Sequence, residues 1–115
     1  MTGRSEAFNA IDRLKELQPD WDSYGACEIT LSAREQAKRF IALVERALGA
    51  RYANPLVGPT ADGGVVLIWR QRPGPEVEAF FAPDGSRRYV VLDGGRLVGR
   101  GPIEDPEFLR QYVTD

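Results

Sequence analysis

The chain is predicted to fold as a two-layer α+β sandwich, with two N-terminal helices packed on a four-stranded antiparallel meander and a short C-terminal helix. Three observations carry this. Apolar residues recur twice at helical spacing before Gly49. A β-branched and aromatic run, Val65 to Gln71, then opens a stretch punctuated by three Gly- and Pro-containing turn signals. Short turns make neighbouring strands antiparallel, and the resulting sheet needs a helical layer over its apolar face.

The elements follow in order. Ser5 is placed to cap a helix whose Ala7, Ala10, Ile11, Leu14 and Leu17 share one face, with Pro19 just past its end. "SARE", Ser32 to Glu35, fits a capping box, in which hydroxyl and carboxylate satisfy free backbone N–H groups. Ala33, Ala37, Phe40, Ile41, Val44 and Leu48 then mark the apolar stripe of a second helix, and Gly49 its stop. "GARYANPLVGPTADGG", Gly49 to Gly64, reads as a long connector. Strands are expected in "VVLIWRQ", "VEAFFA", "RRYVVL" and "RLVGR", separated by turns at Pro73, Pro83 and Asp93. The last strand, with Gly99 and its arginines, suits a sheet edge. Asp105 caps a final helix with Pro106 in its first position, and Phe108, Leu109, Tyr112 and Val113 face the body.

Residues 1–115 are expected to form one domain, large enough for a core without metal or disulfide staples. Cys27 is the lone cysteine, so no intramolecular disulfide forms. The sequence has no apolar run of bilayer length and no signal-peptide core near its start, so a cytoplasmic location away from membranes is expected. A net charge of −2 disfavours nonspecific nucleic-acid binding. The sequence has no histidine, which removes the usual near-neutral acid–base and the commonest transition-metal ligand. No cofactor, metal or catalytic residue is expected.

Two segments carry a family resemblance. "WDSYGACEITLSA", from Trp21, resembles the pattern W-D-G-Y-G-A-x-P-I-S, and "PTADGGVVLIW", Pro59 to Trp69, resembles P-T-P-D-G-G-I-x-L-E-W. Both patterns belong to a family of small bacterial proteins with no established activity. The resemblance spans Leu14 to Leu92, agrees in order and in the later P-D-G turn, and implies the fold and boundaries only. Ser23 stands where the pattern has Gly, Glu28 where it has Pro, and Ala61 where it has the second Pro of P-T-P. Val66 and Ile68 occupy slots that the pattern usually fills with polar residues.

The Trp21–Gly25 loop admits two readings. Asp20, Asp22 and Tyr24, joined by Asp62 of the Thr60–Gly64 loop, form a candidate site for a hard cation or for carboxylate-dependent catalysis, because oxygen-only ligation suits Mg²⁺ or Ca²⁺. The favoured reading is a structural clasp. In it Trp21 plugs the end of the helix pair, Asp22 makes an Asx turn, Gly25 takes a positive φ, and Tyr24 covers apolar surface. "PTADGG" reads as a turn capped by Asp62, since the P-loop pattern and its Lys are absent. Cys27 is expected to be a small buried apolar residue. Arg70, Arg72, Arg87, Arg88, Arg96 and Arg100 are read as a solvated edge.

The sharper signal is strand parity. With Val65, Leu67, Trp69, Val77, Ala79, Phe81, Tyr89 and Val91 facing the helices, Val66, Ile68, Arg70, Glu78, Phe80, Arg88, Val90 and Leu92 face away. The expected function is therefore a non-enzymatic binding module. Its partner-binding face is Val66, Ile68, Phe80, Arg88, Val90 and Leu92, used for a homodimer or for another protein, with an antitoxin-like or inhibitor-like role as one concrete form. The alternative is a small carboxylate-dependent enzyme or divalent-cation-binding domain at the two motif loops.

Overall fold

The computed structural model describes residues 3–71 and 73–113. Its elements are α1 (Gly3–Arg13), α2 (Leu31–Leu48), β1 (Leu56–Pro59), β2 (Val65–Arg70), β3 (Glu76–Phe81), β4 (Arg87–Asp93), β5 (Arg96–Pro102) and α3 (Glu107–Tyr112). Short 3-10 turns at Leu14–Glu16 and Ala50–Tyr52 follow the two longer helices.

The helix α2 forms where the 3.6-residue period is cleanest, and Ala33, Ala37, Phe40, Ile41 and Val44 are all buried. Its cap differs from the expected box. Thr30 has the extended backbone of an N-cap, and its hydroxyl accepts the Ala33 N–H at 3.1 Å. Ser32 is already the second helical residue and lies exposed, so it cannot cap. Ser5 likewise lies inside α1, which starts three residues earlier than a Ser5 cap would allow. Gly49 ends α2 with φ 109°, as its position predicts. At α3 the Asp105 carboxylate accepts the Glu107 N–H at 2.8 Å as expected, but the helix begins at Glu107, with Pro106 at the N-cap rather than in the first helical position.

The sheet has five antiparallel strands in the order β1-β2-β3-β4-β5, one more than the sequence predicts. The extra strand comes from the connector, pairing Leu56 with Ile68 and Pro59 with Val65. Four residues containing Gly58 and Pro59 have too little alternation to read as a strand alone. They pair because β2 would otherwise present an open edge, and a proline is tolerated on an outermost strand. At the opposite edge a bulge leaves Val98 as an extra residue of β5, since Leu92 pairs with Leu97 and Val91 with Gly99.

Parity sets the core. Val65, Leu67, Trp69, Val77, Ala79, Phe81 and Val91 are all buried beneath the helices. The α2 helix packs on β2 and β3, and α1 on α2 and β1. Phe40 is the hub, with ring centroids 6.2 Å from Trp69, 5.5 Å from Phe81 and 6.0 Å from Phe108. Phe108 of α3 in turn stacks on Tyr89 at 4.2 Å. Gly99 makes room for this last helix: a Cβ there would stand 2.8 Å from the Tyr112 hydroxyl oxygen. All three helices thus lie on one face of the sheet.

Candidate functional site

The Trp21–Gly25 loop is built by short-range hydrogen bonds. The Trp21 indole N–H donates to the Cys27 carbonyl at 2.8 Å, and its half-buried ring packs against the core. Asp22 Oδ1 accepts the N–H groups of Tyr24 and Ala26 at 2.9 and 3.1 Å, making the Asx turn. Asp20 Oδ1 accepts the Gly25 N–H at 2.6 Å. Gly25 has φ 87°, as expected, and Asp20 and Ser23 both hold φ 65°. Ser23 occupies the position at which the resembled pattern carries Gly, the residue that adopts this backbone without a Cβ penalty.

The Thr60–Gly64 loop is closed the same way. Asp62 Oδ1 accepts the Thr60 hydroxyl at 2.5 Å and the Gly64 N–H at 3.1 Å. The two loops then join backbone to backbone. The Cys27 N–H donates to the Ala61 carbonyl at 2.9 Å, and the Thr30 N–H to the Gly63 carbonyl at 3.0 Å. Gly63 has φ 95° and lies so close to the first loop that a Cβ would stand 2.9 Å from the Glu28 carbonyl oxygen; a Cβ on Gly64 would stand 2.5 Å from that of Phe81. The loops meet as a seam joining the start of α2 to the start of β2. Among the described residues, no group of three or more His, Cys, Asp or Glu is placed to hold a metal ion.

Two expectations in this region are corrected. Tyr24 covers no apolar surface: it is 91% exposed. Its own N–H is drawn to Asp22 in the Asx turn, and the ring stands outward. Cys27 is exposed rather than buried. Its backbone serves the seam through both N–H and C=O, while Ala26 and Ile29 take the core positions.

The outer face is a three-by-three grid set by strand register. Its rows run Val66–Phe80–Arg88, Ile68–Glu78–Val90 and Arg70–Glu76–Leu92 across β2, β3 and β4. Leu56 of β1 and Leu97 of β5, each 53% exposed, extend it at either side, with Arg100 opposite Val90. Val66 is buried by its neighbours, and Ile68, Phe80, Val90 and Leu92 are half-buried. The α3 helix covers the inner face, and the connector flanks β2 as an edge strand. Among the described residues no helix lies on the outer side.

The charges on this face are ordered. Arg70 Nε donates to Glu76 Oε1 at 2.8 Å. The Arg88 guanidinium lies over the Phe80 ring, 4.4 Å from its centroid. A hydrogen bond with Glu76 raises the Glu78 carboxyl to about 7, aided by burial and by repulsion from Glu76, against the opposing pull of Arg70. Where the face meets the second loop, a depression of about 380 Å³ is lined by Thr60, Asp62, Phe80, Asp84, Ser86 and Arg88. Ser86 donates its N–H and hydroxyl to Asp84, which holds that carboxyl below the usual range. Arg87, Arg96 and Arg100 are exposed, and Arg72 lies outside the described residues.

The structure thus brings the six sequence-predicted partner-binding residues onto one face and joins Asp20, Asp22 and Asp62 to backbone donors. Sequence reasoning passed over Glu76 as the partner of Glu78. Extending the parity count one residue toward the Pro73 turn finds it. No helix among the described residues is long and apolar enough to cross a membrane. No family model, curated protein or solved structure matches the chain.

Proposed function

We propose that this chain is a non-enzymatic protein-binding module that docks a protein on the outer face of its sheet. One observation carries the reading: three helices share the inner face, while Val66, Ile68, Phe80, Val90 and Leu92 cluster on a face with no helix over it among the described residues. Contiguous apolar patches of a few hundred Å² mark interaction surfaces. The patch is bordered by Arg70, Arg88 and Arg100, and arginine is enriched where protein surfaces meet. The motif-loop carboxylates point the other way from catalysis, since each holds backbone N–H groups of its own loop.

The test compares the wild-type chain with Ile68→Glu and Phe80→Glu by size-exclusion light scattering and by affinity capture. Association, with itself or with a captured protein, is expected to fall at least about tenfold in both variants while circular dichroism stays native. Association that persists in both variants, or that is absent from the wild type, overturns the reading.

A further inference from the structure

We infer that the occupant of the outer face is a second copy of this chain, stacked sheet on sheet about a two-fold axis over Phe80 and Val90, with Glu78 of each copy meeting Arg88 of the other. The inference rests on the docking reading above and names its partner.

The charges of this face are only partly paired within one chain, and among the described residues Glu78, although hydrogen-bonded to Glu76, gains no cation there. Arg70 is held by Glu76. Glu78, Arg88 and Arg100 remain, and among the described residues none of them has an oppositely charged group within ion-pair distance. Arg88 lies on an aromatic ring instead. The register sets their relation. Phe80 is directly opposite Arg88, and Glu78 directly opposite Val90. Glu78 and Arg88 therefore occupy one diagonal of a cross-strand square, and Phe80 and Val90 the other.

A two-fold axis lying in the interface plane along the apolar diagonal exchanges the two charged corners. It sets Glu78 against Arg88 twice, and lays Phe80 and Val90 against their own copies. One operation covers the apolar diagonal and pairs the charges. A partner of uniformly acidic or uniformly basic surface would be repelled at one corner. Self-complementary two-fold contacts are also the commonest form of oligomer. Size sets the expected strength. Five strands about 4.8 Å apart and about 20 Å long present about 500 Å² per copy, or about 1,000 Å² in all. That is the lower end for specific interfaces and fits a reversible dimer with a Kd in the micromolar range.

Sedimentation equilibrium at about pH 8, over about 5 to 500 µM, reads the association with Glu78 ionised. The wild type is expected to move from the 12.8 kDa chain toward twice that mass. Glu78→Arg and Arg88→Glu should each weaken association at least about tenfold, because like charges then meet across the axis. Mixed in equal amounts, the two variants should associate again to within about threefold of wild type, since each supplies the charge the other lacks. Glu78→Gln should weaken association less than Glu78→Arg, and circular dichroism confirms that every variant is folded. A wild type that keeps one-chain mass over the whole range overturns the inference and leaves the docking reading to its own test. A dimer indifferent to the charge variants, or variants that stay apart when mixed, overturns the two-fold pairing. A dimer untouched by Ile68→Glu overturns both this inference and the choice of face.

Discussion

The two faces of the sheet are built from the same strands and nearly the same kinds of residue, yet they have opposite fates. On β3, Val77, Ala79 and Phe81 are 0%, 0% and 1% exposed, while Phe80, one residue from Phe81, is only half-buried. On β2, Trp69 reaches Phe40 and donates its indole N–H to the Tyr52 carbonyl, whereas Ile68 beside it faces the other side and stays half-buried. Apolar content alone does not mark a core. Among the described residues there are three α-helices, and all three cover the inner side. Apolar area on the inner face stabilises the fold. On the outer face much of it is still in contact with water, and it becomes useful when something docks there.

The sharpest way to break this comparison is a matched pair of truncations. Phe81→Ala should cost about 3–5 kcal/mol, as for a buried aromatic that leaves a cavity, whereas Phe80→Ala should cost under about 1 kcal/mol in the single chain. Urea denaturation of dilute protein reads both, and equal losses would mean that the outer face is as much a core as the inner one. Next in size is the seam at the start of β2. Gly64→Ala drives a Cβ to 2.5 Å from the Phe81 carbonyl oxygen and should cost about 2–3 kcal/mol. Gly25→Ala meets nothing within 4 Å, so only its φ of 87° is penalised, by about 1 kcal/mol.

A smaller effect separates the faces by pH. Among the described residues the buried core holds no ionisable group, whereas the outer face holds Glu78 with its carboxyl raised to about 7. A carboxyl raised above its unfolded value binds more protons when folded. Its contribution is full below about pH 4.5 and is lost as pH rises through about 7. Glu78→Gln should therefore match wild type at pH 4 and exceed it at pH 8, by no more than about 1 kcal/mol given solvent screening. Thermal melts across that range check it, and a variant less stable than wild type at pH 8 reverses the assigned sign. The smallest changes lie in the first motif loop. Ser23→Gly relieves the φ of 65° and should add about 0.5 kcal/mol, while Tyr24→Ala, at a side chain 91% exposed, should fall within about 0.5 kcal/mol of wild type.

Much of this was legible along the chain. The α2 stripe, the Gly49 stop, the Asp105 turn, the four strands from Val65 onward and the shared side of all six partner-face residues follow from local periodicities and short-range turn signals. The Asx turn at Asp22 and the capping role of Asp62 were legible for the same reason, since each bond spans only a few residues. The errors fall where a neighbour distant in sequence decides. Thr30 rather than Ser32 caps α2, at a residue whose own N–H is tied to Gly63. Cys27 faces outward because its backbone is committed to Trp21 and Ala61.

Strand parity needed no fold to be known, because successive side chains of an extended backbone point to opposite sides wherever the strand lies. Which side became interior was settled by assembly. The segment Leu56–Pro59 is a strand only beside β2. The helix α3 joins the inner layer through Leu109, through Phe108 stacked on Tyr89 and Phe40, and beside Gly99, which leaves room for Tyr112. Those are contacts between residues far apart in the chain, and they leave the outer face open.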